Sequence, residues 1–579
     1  MKEKIKLLAE LVEPGEKRKI VLILVMMIIS ATLETLGVSM IVPVVSIVVE
    51  PDIMATNTFI ARICTLFNIT SVKELTIFLM SILILVFIGK NLFLLLLYYV
   101  QSKFVFDNLH QAQKRLVHTF LHEPYAYYLG INSSEVVHLI STETVGAFAV
   151  LQFTMELCTE MVVGVTLAIV VFFMDPSICI TLSLLLVILM LIISKIIKPK
   201  LKAYGESHVK YDTAGTKWLM QFAAGIKEIK IAESEDYFEA QYAYNNKIDK
   251  KMEQSRTVFR NLPRILIESL SIAGILVIFI VKIIMGSNIT DMLPQLSAFC
   301  VAAVRLIPCA NRVSAYLNEI AYNTPSLIKT VAHMQKLKEL KAEKRIECGQ
   351  SGDMHFHPMD KIELKNISFK YDGGDKNVLE NANMQIPIGK SVGIIGTSGA
   401  GKTTVVDLAL GLLTPEQGQI TVDGVDIQQN YHDWLTHVSY IPQTIYLLDG
   451  TIRANVVFGF THEDGDEEIW RALREAQLEE FVRSLPEGLD TEIGERGVRL
   501  SGGQRQRIGI ARALYTNPEI LIFDEATSAL DNETEAALME AINSLHGKKT
   551  LIIIAHRLQT IKNCDLVYKV SDGKVLINE

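Results

Sequence analysis

Of the 579 residues, 50% are hydrophobic and 21% charged. That is too apolar for an ordinary soluble enzyme and too charged for a protein lying wholly in a bilayer, so a membrane part joined to a soluble part is expected. The net charge of −8 argues against a nucleic-acid partner, and the seven scattered cysteines, without a C-x-x-C pair, point to neither a disulfide framework nor a zinc site.

The N-terminus is basic and then apolar from 20 to 49. That run is far longer than a signal-peptide core of about 7–15 residues and lacks a small-residue cleavage pattern, so it reads as a retained spanning helix. A span needs about 20 mostly apolar residues. Six stretches qualify: 20–49, 75–100, 145–174, 177–197, 265–285 and 292–317. Met174-Asp175-Pro176 and the stretch 286–291 are tight turns, whereas 101–144 and 198–264 are long, polar and helical in pattern. Long helices reaching well beyond the bilayer produce this alternation. Lysines crowd the N-terminus and the 198–264 connection, and the tight turns have none. The positive-inside rule therefore places the N-terminus, both long connections and the C-terminal half in the cytoplasm of a multi-pass plasma (inner) membrane protein. The first external connection, 51–73, carries "NTFIARICTLFNI", which fits an interfacial amphipathic helix or a packed loop helix.

Span two holds a lysine inside "ILVFIGKNLFLLLL". A lipid-facing Lys90 costs at least about 2.5–3.5 kcal/mol at a helix centre. It sits about 15 residues into the span, roughly 22 Å at 1.5 Å per residue, in the inner half of the hydrocarbon. Span six carries "AAVRLIPCANRVSAY", in which Arg305 and Arg312 are seven residues apart and share a helix face. One reading has Lys90, Arg305 and Arg312 facing a watery cavity that attracts an anionic head group. The other pairs them within the membrane with Glu34, Glu156, Glu160 or Glu268, or with carbonyls freed at Pro308.

A membrane domain thus occupies 1–325. Residues 326–360, with "KLKELKAEKR", form a charged helix and linker. From 361 to 579 short β-rich runs alternate with Gly turns and amphipathic helices, the pattern of a soluble α/β domain.

That domain carries the chemistry. "VGIIGTSGAGKTT" is an apolar strand followed by Gly396-x-x-x-x-Gly401-Lys402-Thr403. Here the backbone of Thr397, Ser398, Gly399 and Ala400, opening a helix at Lys402–Thr404, can wrap phosphates with successive N–H groups. Lys402 would reach the β- and γ-phosphates, and the Thr403 hydroxyl would take Mg²⁺. "EILIFDEATSALD" ends an apolar strand in Asp524, which suits Mg²⁺, and Glu525, which suits the base for hydrolysis. In "RLSGGQRQRIGIARAL", Ser501, Gly502, Gly503 and Gln504 open a second helix whose N-terminus also suits phosphate. One nucleotide does not need two such termini in one domain. Two copies arranged head to tail do, each Ser501 segment closing over the other copy's nucleotide.

With these motifs in order, residues 361–579 resemble the nucleotide-binding domain of ATP-binding cassette (ABC) transporters, whose signature is "LSGGQ". The resemblance implies ATP and Mg²⁺ as cofactors. It also implies that Tyr371 in "FKYDGG" stacks on adenine and that Gln443 in "SYIPQ" senses Mg²⁺ and links to the membrane part. "TEIGERG" at 491–497 fits the exporter-type segment, Asp531 in "SALD" the loop that faces the dimer partner, and His556 in "IIIAHR" the γ-phosphate histidine. None of these positions departs from the family pattern. The six spans with long cytoplasmic extensions resemble the exporter-type fold. The expected fold is therefore an α-helical membrane domain of six transmembrane helices plus an α/β P-loop nucleotide-binding domain. A homodimer with two competent sites is implied, working by alternating access, with coupling helices near 123–137 and 212–230. "GKNLF", the external amphipathic segment and "VRLIPCANRV" resemble the bacterial lipid-linked oligosaccharide flippases. An anionic lipid-linked oligosaccharide is accordingly the leading expected substrate. Peptides or amphipathic drugs are the alternative, and an ATP-gated channel or regulatory ATPase is the alternative of another class.

Overall fold

The computed structural model describes residues 2–39, 71–174, 176–284, 289–347, 355–371, 373–374, 376–460, 465–524, 539–540, 542–555 and 561–578. The chain divides into two compact units: Met1–Glu123 with Gly130–Leu340, and Pro124–Leu129 with Lys341–Glu579.

The first unit is helical. α1 (Lys2–Leu11) buries Leu8 and Leu11 and leads through a 3-10 turn at Pro14–Glu16 into α2 (Lys17–Ser39). α3 (Val72–His122) starts at a capping box: Ser71 Oγ accepts from the Glu74 amide and the Glu74 carboxylate accepts from the Ser71 amide. Its 51 residues span about 75 Å, more than twice a hydrocarbon core of about 30 Å. A short helix α4 (Tyr125–Leu129) belongs to the second unit. α5 (Ser133–His138) then runs through a π-helical turn at Leu139–Glu143 into α6 (Thr144–Met174). α7 (Pro176–Ala224), α8 (Ile226–Ile231), α9 (Glu235–Ile284) and α10 (Ile289–Glu347) follow.

Four stretches among the described residues are long and apolar enough to cross a membrane: Arg18–Gly37, Val72–His122, Ser133–Phe173 and Leu182–Ala224. α9 and α10 cover the fifth and sixth expected spans. Residues 40–70, with the end of span one and most of the 51–73 segment, lie outside the described residues, as do Asp175 and 285–288 of the two tight turns. Leu85, Leu92 and Leu95 of α3 are exposed, which suits lipid rather than water as their surroundings.

Small residues let the long helices approach closely. A Cβ on Gly164 of α6 would lie 2.8 Å from Cys309 Sγ of α10, and one on Gly146 would lie 2.9 Å from Ser326 Cβ. Ascending numbers on α6 meet descending numbers on α10, so the two run antiparallel. A Cβ on Gly205 of α7 would lie 2.0 Å from the Tyr322 carbonyl oxygen. Beyond the apolar spans, buried charges join the same helices. His138 lies 2.9 Å from Asp212 and 3.2 Å from Glu143, and Lys329 reaches Glu143 at 3.0 Å. Arg256 ties α9 to Glu319 of α10 at 2.5 Å.

The second unit is built on two sheets. β1 (Lys361–Phe369), β2 (Leu379–Pro387), β4 (Gln417–Val422) and β5 (Val425–Asp426) form an antiparallel sheet in the order β2-β1-β4-β5. The six-stranded sheet has the order β10-β9-β3-β8-β7-β6. It comprises β3 (Ser391–Gly396), β6 (Val438–Ile441), β7 (Ile520–Asp524), β8 (Thr550–Ile554), β9 (Leu566–Ser571) and β10 (Lys574–Ile577). All neighbours in it are parallel except β10 and β9. β7 and β8 are buried at every position, which is why "ILIF" and "LIII" are unbroken apolar runs rather than alternating ones. One core joins both sheets to Val405, Val406 and Leu408 of α11 (Lys402–Ala409). A second core packs Ile508 and Leu514 of α16 (Gly502–Tyr515) with Ile452 of α13 (Ile452–Val457) and Ile469 and Leu473 of α14 (Glu467–Glu475). Between them in sequence lie α12 (Tyr431–His437) and α15 (Glu479–Ser484).

Candidate functional site

Parallel strands end on the same edge of a sheet, and ligands of such sheets bind beyond those ends. Here Ile394 of β3 pairs with Ile554 of β8, and Ile554 pairs with Asp524 of β7. The phosphate-loop start at Gly396 and the acid Asp524 therefore emerge beside one another, one strand apart. Tyr440 and Ile441 of β6 pair with Ile522 and Phe523 of β7, so Gln443, two residues past β6, is delivered to the same edge.

The loop needs its glycines. A Cβ on Gly396 would lie 2.5 Å from the Val570 carbonyl oxygen. Gly401, at φ +101, caps α11 in a conformation that L side chains avoid. Thr397, Ser398 and Gly399 are exposed, Gly396 and Ala400 are half-buried, and Thr403 is exposed on the first turn of α11. Lys402 is only 6% exposed, and its ammonium donates to the carbonyls of Gly396 at 3.1 Å and Thr397 at 3.2 Å, across the loop. A cationic donor bent over a ring of backbone amides at a helix N-terminus fits a polyphosphate. Thr404 is buried and shares a 2.9 Å hydrogen bond with the Tyr371 hydroxyl. Tyr371 stands edge-on to Phe369 at 5.0 Å, half-buried beside the loop.

Asp524 is buried and accepts from the Tyr440 hydroxyl at 3.0 Å. Burial, with Asp524 next in importance, raises the Tyr440 phenol above its ordinary range, so it stays a donor. Asp407 of α11 is 9% exposed, and burial followed by the charge of Asp524 pushes it up to about 6. The reading of the sequence missed Tyr440 and Asp407. Their signals were a hydroxyl-tipped aromatic at a strand end and an acid within "VVDLAL". Glu525, Asp531 and His556 lie outside the described residues.

Ser501 stands at the exposed N-terminus of α16. Its hydroxyl accepts from the Gln504 amide at 3.2 Å, and its own amide donates to Gln504 Oε1 at 2.8 Å. This capping box fixes the turn at Gly502 and Gly503 and leaves Ser501 and Gly502 on the surface.

In the helical unit a cavity of about 540 Å³ lies between α9 and α10, with Arg264, Glu268, Asn311 and Arg312 as its polar wall. Arg312 borders it while pairing with Glu160 at 2.7 Å. Lys90 does not line it: its ammonium is 2.7 Å from Glu34, and the residue is 7% exposed. Of the two readings open for Lys90, the structure has the intramembrane pair, with Glu34 as the partner among the four carboxylates considered; a buried ammonium is retained by such a carboxylate. The Arg305 side chain lies outside the described residues. Arg264, next to Pro263 at the foot of span five, was not singled out from the sequence.

Residues 379–528 match the family model for the ABC transporter. The second unit carries an ABC transporter ATPase domain. Over 215 residues the chain is 45% identical to the uncharacterized ABC transporter ATP-binding protein YwjA of Bacillus subtilis, a stretch covering 37% of each chain. It is 42% identical over 215 residues, again 37% of each chain, to the ATP-dependent lipid A-core flippase of Haemophilus influenzae. The matched stretch thus spans little more than a third of these curated relatives, about the extent of the ATPase domain. Over its whole length the fold matches the structure of a bacterial Atm1-family ABC exporter with ATP bound. The TM-score is 0.75 at 22% identity, covering 98% of this chain and 96% of that one. The ATPase domain is thus fused to a helical unit in an exporter fold.

Proposed function

We propose that this protein is an ATP-driven exporter or flippase that moves an amphipathic, anionic lipid-linked substrate by alternating access. The observation that carries this is the convergence of the phosphate loop, Lys402 and Asp524 at one sheet edge of a chain whose other unit is built of long apolar helices. Lys402 and the amides of 397–404 bind the ATP phosphates, and Tyr371 supports adenine. Thr403, Asp524 and Gln443 are the oxygen donors suited to Mg²⁺, which when bound neutralises the phosphate charge. Tyr440 holds the Asp524 carboxylate in place. Glu525 orients and deprotonates the attacking water, and His556 contacts the γ-phosphate. The Ser501–Gln504 segment and Asp531 act on the ATP of a second copy, so two composite sites form in a homodimer. The segments near 123–137 and 212–230 act as coupling helices, and the N-terminus and ATPase domain face the cytoplasm.

The substrate reading rests on the largely apolar cavity whose wall holds Arg264, Glu268 and Arg312, the last also paired with Glu160. A flippase name among the relatives supports a lipid cargo, and a lipid-linked oligosaccharide is the specific candidate. The test is translocation of a polyisoprenyl-pyrophosphate oligosaccharide in proteoliposomes, with wild type beside Glu525→Gln. ATP-dependent movement by wild type alone is expected. Robust ATP hydrolysis without movement rejects this substrate and makes peptides and amphipathic drugs next. Normal steady-state hydrolysis by Glu525→Gln overturns the assignment of the base.

A further inference from the structure

Two lysine-rich stretches served above only to orient the chain, "KEKIK" at the N-terminus and "KIIKPKLK" across the end of span four. They meet in the helical unit. A pocket of about 220 Å³ is lined by Lys4 of α1, Lys198, Pro199 and Lys202 of α7, and Ala321 of α10. Lys4 is half-buried, and its ammonium donates to the neutral Thr324 hydroxyl at 2.7 Å. Burial, then Lys198, then Lys202 hold Lys4 below its ordinary range. None of the lining residues carries a carboxylate. Lys202 meets Glu206 at 3.7 Å, an exposed i,i+4 pair of little strength. Three like charges round one small concavity are stabilised when an anion enters it.

The surroundings say which anion. The apolar run of α7 gives way to lysines at 195 and 198, so the pocket lies where hydrocarbon meets water. Ile192 and Ile196 are exposed, and with Pro199 they follow i, i+4, i+7 spacing, an apolar track from the pocket toward the bilayer. Ile5 of α1 adds a further exposed apolar group. A free phosphate has no use for that track, whereas a lipid has.

We propose that Lys4, Lys198 and Lys202 bind the phosphate of an anionic phospholipid of the bilayer, with its acyl chains along Ile196 and Ile192. Basic pockets between helices at this level suit such head groups.

Native mass spectrometry of the full chain, released from nanodiscs of equimolar phosphatidylcholine and phosphatidylglycerol, tests this. Wild type is expected to retain phosphatidylglycerol preferentially. Each lysine removed lowers retention by about fivefold, most in Lys4→Gln/Lys198→Gln/Lys202→Gln, and the matching Arg variant keeps it. If the triple Gln variant does not assemble, Lys202→Gln alone carries the test, because its side chain is exposed. Equal retention of both lipids by wild type, or unchanged retention in the Gln variants, overturns the proposal. Displacement of the lipid by millimolar inorganic phosphate also overturns it, since the site is then one for free phosphate.

Discussion

Asp407 shows how far one residue's surroundings move its chemistry. An unfolded aspartate releases its proton near 3.8, and the folded Asp407 near 6. The folded chain therefore binds the extra proton between those values. Stability falls as pH rises from about 4 to about 6 and stays lost above, by about 3 kcal/mol at most. Asp407→Asn should stabilise the ATPase domain at pH 7–8 and flatten the acid limb. Melts of both proteins at pH 5 and pH 8 check this, and an unchanged pH dependence in the Asn variant would refute it. The sequence displayed this acid but not its depth, just as it displayed Lys90 without choosing among four carboxylates. Glu34, the partner in the structure, lies 56 residues away in sequence, and only folding supplies that distance.

At the scale of elements, the phosphate loop was legible because its chemistry is local: strand, glycines, lysine and helix are contiguous. The six-stranded sheet was not, since its order places β8 between β3 and β7, a long-range choice that no local pattern encodes. The helix seams were equally hidden. Gly205 is an ordinary helical glycine in the sequence, yet a Cβ there would lie 2.0 Å from the Tyr322 carbonyl. Backbone cannot yield as a flexible side chain does, so Gly205→Ala should force α7 and α10 apart and destabilise the helical unit by about 1–3 kcal/mol. Gly89 of α3, with nothing within 4 Å of a Cβ, is the control. There alanine should be neutral or stabilising by about 0.5–1 kcal/mol. Equal thermal stability of the two variants would show that the seam relaxes freely.

For the whole molecule, the composite-site reading makes a prediction that no single variant tests. Lys402→Ala removes a copy's phosphate lysine, and Ser501→Arg blocks what it offers its partner. Each alone should be inactive. Co-expressed, they should recover ATP hydrolysis, because one site of the mixed dimer joins an intact loop to an intact Ser501 segment. No recovery from a purified mixed dimer would place both elements of a site in one copy. The sequence showed two phosphate-facing helix ends but not their separation. The same helical unit also closes on itself over long reaches of chain. Lys4 bonds Thr324, Glu10 bonds Gln335 and Glu143 bonds Lys329. Those last partners are made late. At about 5–20 residues per second the 186 residues separating Glu143 from Lys329 take about 10–40 s to emerge. Until then the nascent helices hold His138, Glu143 and, once it is made, Asp212 without that lysine. The membrane unit is therefore completed by its final helix, and a ribosome that stalls before residue 324 leaves Lys4 without its hydroxyl partner.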